Sequence, residues 1–131
     1  KENLEISGLA DAPVRFIVDD CLKFVEREIR RGKKYDAIIM DPPSFGRGSN
    51  GEVWKLEDNL FEFVKLCDKV LSETPLFVLI NSYTTGLGAQ VMENVLRLAI
   101  SKKGNVESYE VCLPARDGIM LPCGNSAFLT F

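Results

Sequence analysis

The stretch YDAIIMDPPSF, residues 35–45, constrains this chain more than any other. YDAIIM is apolar at nearly every position, the composition of a strand buried on both faces. It ends in an acid, Asp41, followed by Pro42 and Pro43. Proline lacks an N–H donor and has φ held near −65°, so a Pro-Pro pair cannot continue a central ladder and stiffens the backbone after Asp41. A buried strand therefore delivers a carboxylate into a rigid bend, whose carbonyls are free to accept hydrogen bonds.

The rest of the chain supplies the frame for that strand. KENLEISGL reads as a helix end stopped at Gly8, and VRFIVDD (14–20) as a strand of β-branched and aromatic residues after Pro13. CLKFVEREIRRGKK has Leu22, Val25 and Ile29 at i, i+3 and i+7 with Gly32 behind them, the pattern of an amphipathic helix. SFGRGSNGEVWKLEDN has the composition of a loop. A helix is predicted over 60–71, a fully apolar strand at LFVLINS, and a helix in GAQVMENVLRLAISKKG ended by Gly104. VESYEVCL and SAFLTF read as two final strands joined by PARDGIMLPCGN, a loose hairpin connection. The order α-β-α-β-α-β-α-β-β implies right-handed crossovers and an open, doubly wound, mostly parallel α/β sheet covered on both faces. The last pair adds an antiparallel strand.

At 131 residues this is one domain. A net charge of −3 provides no electrostatic footprint for unaided binding to RNA or DNA. The cysteines Cys21, Cys67, Cys112 and Cys123 form no CxxC pattern, and with no histidine the sequence offers no zinc motif. They read as reduced thiols of a cytoplasmic protein. No run approaches the roughly 18 apolar residues of a membrane span, and no signal peptide is visible. The chain opens on Lys1 inside what reads as a helix end, as a piece of something longer does.

In open α/β sheets, ligands bind outside the carboxyl ends of the strands. The expected strands end there in Asp19-Asp20, in Asp41, and in Asn81-Ser82-Tyr83. Asp20 has a bland alternative as the N-cap of the next helix, and Asn81 or Ser82 as turn residues. Phe45 either stacks on a ligand or folds back onto the core. Arg47, Lys55 and Arg116 read as solvated loop charges within reach of the rim, and Trp54 and Tyr83 either pack on the sheet edge or line a base pocket.

These residues resemble the S-adenosylmethionine (SAM)-dependent methyltransferases of the Rossmann-like class, and more narrowly the catalytic domain of the large-subunit 23S ribosomal RNA methyltransferases. FIVDDCLKFV is similar to the family's third strand and the acid after it, and YDAIIMDPPSFGRG to its fourth-strand motif. LFVLINSYTTGL stands where the fifth strand would be, and RDGIMLPCGNSAF resembles the sixth-to-seventh-strand hairpin. The resemblance implies that Asp20 accepts a hydrogen bond from the cofactor's adenine amino group while the backbone N–H of Cys21 meets the ring. It implies that Asp41 and the carbonyl of Pro42 lie beside the sulfonium and the target atom. Phe45, with Pro43, Ser44 and Asn81, would hold a flipped-out base, where stacking is worth on the order of 1–3 kcal/mol. No metal is implied.

The family's glycine-rich loop and the acid after its second strand, which grip the methionine and ribose, are missing from these residues. In the family's strand order, 3-2-1-4-5-7-6, the strands between VRFIVDD and YDAIIM are missing too. Residues 1–131 thus read as the C-terminal part of a methyltransferase domain. Such a part is expected not to hold the cofactor by itself, and to carry bare sheet edges that invite self-association. Relatives that methylate cytosine C5 place a cysteine just after the fifth strand; here that position reads Asn81-Ser82-Tyr83, and Cys123 is the alternative thiol. A nitrogen target on RNA, most naturally ribosomal, is the expectation. DNA, protein or a small molecule are rival substrates. A non-catalytic scaffold and a dehydrogenase are rival classes, but a scaffold has no need of Asp20, Asp41 and Phe45 at one rim, and a dehydrogenase does not account for D-P-P-x-F.

Overall fold

A computed structural model describes residues 1–48 and 51–131. Helices α1 (Glu2–Ile6) and α2 (Cys21–Arg30) precede strand β1 (Ala37–Met40), and the short strands β2 (Phe45–Arg47) and β3 (Val53–Lys55) follow it. Helix α3 (Leu56–Asp68), strand β4 (Phe77–Ser82), helix α4 (Ala89–Ala99) and strands β5 (Asn105–Pro114) and β6 (Met120–Thr130) complete the chain. Four strands form one sheet in the order β1-β4-β6-β5. β1 and β4 are parallel, and β6 runs antiparallel to both of its neighbours, so three of the four strands point the same way. This is the expected α/β class with its antiparallel C-terminal strand. No helix among the described residues is long and apolar enough to cross a membrane.

The core lies on one face of the sheet. The row Ile38, Val78, Leu129 and Val106 crosses all four strands in register, as does Met40, Ile80, Ala127 and Ser108. Against them α3 buries Leu56, Leu60, Phe63, Val64 and Cys67, and α4 buries Met92, Leu96 and Ala99. Those spacings of three and four place each set on one helical stripe. Helix α2 is started by Asp20, whose Oδ1 accepts the Lys23 N–H at 3.1 Å, and it is followed by Gly32 in the left-handed region at φ +64°.

Several expectations are corrected. Residues 14–20 form no strand: a ladder needs a partner, and β1, the nearest strand in the expected order, pairs only with β4. Coverage of both sheet faces is not seen among the described residues. Ile39 stands 65% exposed on the side away from the helices, where Phe77 and Phe128 pack tilted at 5.4 Å. The expected loop after Ser44 is instead a hairpin, with Phe45, Gly46 and Arg47 paired to Lys55, Trp54 and Val53; Ser49 and Asn50 lie outside the described residues. Helix α3 starts at Leu56 rather than 60 and ends at Asp68 rather than 71. Leu56 is fully buried, and Glu57 and Asp58 in its first turn suit the positive end of the helix dipole.

Gly104 does not end α4, which stops at Ala99. It lets the entry of β5 press on β6 instead, since a Cβ there would meet the Thr130 carbonyl oxygen at 2.1 Å. The connection 114–125 is the expected hairpin but a tighter one, because β5 and β6 pair out to Pro114 and Met120. Cys123 therefore sits in a strand, where the β5–β6 register shifts, and its thiol donates to the Val111 carbonyl at 3.2 Å.

One buried acid ties α2 to the segment that leads into β1. Glu28 accepts the Tyr35 hydroxyl at 2.6 Å and Arg31 at 3.1 Å, and the Tyr35 bond holds its carboxyl below the ordinary 4.5. A depressed carboxylate contributes stability that is present above its unfolded value and lost as pH falls through its folded value. Tyr35→Phe is expected to lower the thermal midpoint by a few degrees at pH 7. The gap to the parent should narrow below pH 4.5, as a pair of pH-dependent melting series would show.

Candidate functional site

The carboxyl end of β1 opens onto a cavity of about 910 Å³. One wall is the start of α2, with Asp19, Asp20, Cys21 and Lys23. The floor is β1 with Met40 and the core residues Phe63 and Cys67, and the roof is the β2–β3 hairpin with Arg47, Glu52 and Trp54. Asp41, Pro42 and Pro43 line the same cavity. Thus the structure brings Asp20, Cys21, Asp41, Pro42 and Pro43 together.

Local chemistry fixes each group. Asp19 is engaged by the Arg27 guanidinium and by the Asp20 N–H at 2.9 Å; the Arg27 hydrogen bond, foremost, holds its carboxyl below the ordinary range. Asp20 caps α2 and still lines the cavity, so the bland reading and the ligand reading coexist in one side chain. Lys23 lies 3.9 Å from the Asp20 carboxylate and 3.5 Å from that of Glu52, which spans the mouth between helix and hairpin. Among the described residues no hydrogen bond or ion pair reaches the Asp41 carboxylate, which is exposed.

The other expected residues lie apart from the cavity. Phe45 is on β2, 54% exposed, so it does not fold onto the core. Ser44 accepts the Thr84 hydroxyl at 2.6 Å, which ties the diproline loop to the end of β4. Asn81 is half-buried and accepts the Ser126 hydroxyl at 2.6 Å. Tyr83 is 62% exposed with its ring over Gly124, where a Cβ would come within 2.8 Å of it. Of the loop charges only Arg47 lines the cavity; Lys55 and Arg116 do not.

Burial pushes the Cys67 thiol up to about 12, so it stays protonated at neutral pH. Cys123 is held in β6, and burial also raises Cys112. Cys21 is exposed at the cavity wall.

Sequence reasoning missed the hairpin, and it named Trp54 without the bond that the residue makes. The indole N–H of Trp54 donates to the Pro43 carbonyl at 2.8 Å, and its ring meets Phe63 edge-on at 5.8 Å. The signal was present: FGR and VWK alternate around a turn rich in glycine, the usual mark of a hairpin.

No family model matches the chain. It is 34% identical, over 98% of its length, to a SAM-dependent methyltransferase from Agrobacterium tumefaciens, with a TM-score of 0.87. A candidate methyltransferase solved with S-adenosylhomocysteine (SAH) shares the fold, with a TM-score of 0.76 at 18% identity. Among curated proteins, the ribosomal RNA large subunit methyltransferase I of Klebsiella pneumoniae is 40% identical over 45 residues, 34% of this chain. The enzyme of that name from Erwinia tasmaniensis is 40% identical over 50 residues, 38% of this chain. The chain covers 44% and 35% of the two solved structures, and the matched stretches are 11% and 13% of the curated relatives. By architecture and by sequence, then, the chain has the Rossmann-like fold of the SAM-dependent methyltransferases and resembles the large-subunit ribosomal RNA enzymes among them.

Proposed function

We propose that the protein carrying this chain transfers a methyl group from SAM to a nitrogen of a ribosomal RNA base, in the cytoplasm. The observation that carries this reading is the shared cavity: Asp20 and Asp41, 21 positions apart in sequence, line one opening at the carboxyl end of β1. Its volume is in the range of small-molecule sites.

The residues present fit the cofactor. Asp20 offers a carboxylate acceptor for an adenine amino group, and Cys21 begins a helix whose first N–H groups have no intrahelical acceptor. Val25, Ile38 and Met40 supply apolar walls for a flat ring. When bound, SAM supplies the methyl group, and its sulfur keeps the electron pair of the broken S–C bond. The chain's own work is orientation: the Asp41 carboxylate and the Pro42 carbonyl accept N–H bonds of the target and direct its lone pair. The proton lost from nitrogen passes to solvent through the exposed Asp41 side. A nitrogen lone pair needs no covalent assistance, in keeping with a buried Cys67 and a Cys123 held in a strand.

In this proposal residues 1–131 are the C-terminal part of the catalytic domain, and the groups that grip methionine and ribose, and those that hold RNA, come from elsewhere in the full-length protein. The −3 charge accords with that division. Titration calorimetry of the full-length protein with SAH, followed by transfer of tritiated methyl to large-subunit ribosomal RNA transcripts, tests it. Expected are saturable binding and labelled RNA. Binding with label only on DNA, protein or small molecules would move the substrate, and absence of binding would leave a scaffold.

A further inference from the structure

The diproline bend is not held by a sheet ladder, because neither proline can donate to one. It is pinned from outside. The Pro43 carbonyl accepts the Trp54 indole N–H at 2.8 Å, the Ser44 carbonyl accepts the Leu56 N–H at 3.0 Å, and the Ser44 hydroxyl accepts that of Thr84. Of the three donors, Trp54 is the one that lines the cavity. It is also the middle residue of β3, facing Gly46 across the hairpin, and its ring is braced on Phe63 of α3. One side chain therefore joins helix, hairpin and bend.

We propose that Trp54 is a positioning residue of the methyl-transfer site: its N–H fixes the peptide plane after Pro43, and through the two stiff rings it aims the Asp41 carboxylate at the sulfonium. This rests on the functional reading above. The indole ring supplies packing, whereas the N–H bond sits at an exposed bend, where exchange with water makes it a small contributor to stability. Its effect lies in direction. A carboxylate beside the sulfur favours the cationic cofactor over its neutral product, and that preference depends on where the charge points.

The test is the ratio of SAM to SAH affinity, measured by calorimetry on the full-length protein, which needs no RNA. Trp54→Phe keeps a ring against Phe63 and removes the N–H. Exchange of the indole for benzothiophene at the same position removes only the N–H, and decides the matter if Trp54→Phe does not fold. The preference for SAM is expected to fall about three- to tenfold in both, with SAH affinity within about twofold of the parent. An unchanged preference in a folded variant overturns the positioning role, as does an equal loss of both affinities, which marks simple cavity packing. If the parent itself binds neither ligand, the functional reading fails and this inference falls with it. If the parent binds both and the variants match it, only the assignment of Trp54 fails.

Discussion

Asp41→Ala in the full-length protein is expected to slow methyl transfer about a thousandfold, the upper end of what removal of one preorganised polar group costs. The size follows from where the carboxylate stands. It leaves β1 at the one point where the ladder is ended by two prolines, it lines the cavity, and among the described residues no partner engages it. An acceptor that makes no bond within the fold is available to a ligand without any bond being broken first. For the same reason the thermal midpoint should barely move. Asp41→Asn keeps a carbonyl acceptor and loses the charge, so its rate should fall less, by about tenfold. Single-turnover rates at saturating cofactor separate the three proteins; equal rates for Asp41→Ala and the parent would remove Asp41 from the site.

Asp20→Ser is expected to weaken SAH binding by up to about a hundredfold while leaving the fold intact, because a hydrogen bond to a charged acceptor is worth about 1.5–3 kcal/mol. Serine is as good an N-cap as aspartate, so the bond to the Lys23 N–H survives, but its short side chain cannot also reach a ligand. Asp20→Ala should lose both functions, with about 1 kcal/mol of stability going with the cap. Calorimetry alongside thermal melts distinguishes them. If Ser and Ala variants bind SAH equally to the parent, Asp20 is a cap and nothing more.

Much of this was legible in the sequence, and particular residues show why. The apolar run into Asp41-Pro42-Pro43 reported a strand end because proline chemistry is local and needs no knowledge of neighbours. The same holds for α2, whose Asp20 cap and Gly32 stop are written in adjacent residues. VRFIVDD misled because β propensity describes fit to a pleated surface, and a strand exists only when another pairs with it. Ile39 misled for a related reason: an unbroken apolar run says that both faces suit burial, not that both are covered. The β2–β3 hairpin was hidden by its glycines and serine, which look like loop composition until the alternation on either side is weighed. Trp54 could not be assigned from spacing, since its bond to Pro43 joins residues 11 apart through a turn.

A crystal structure of the full-length protein with SAH bears most directly on the account. The adenine amino group should donate to the Asp20 carboxylate while the sulfur faces Asp41 in the same opening. SAH bound at another face, or Asp20 turned away from the adenine with Asp41 remote from the sulfur, would contradict it.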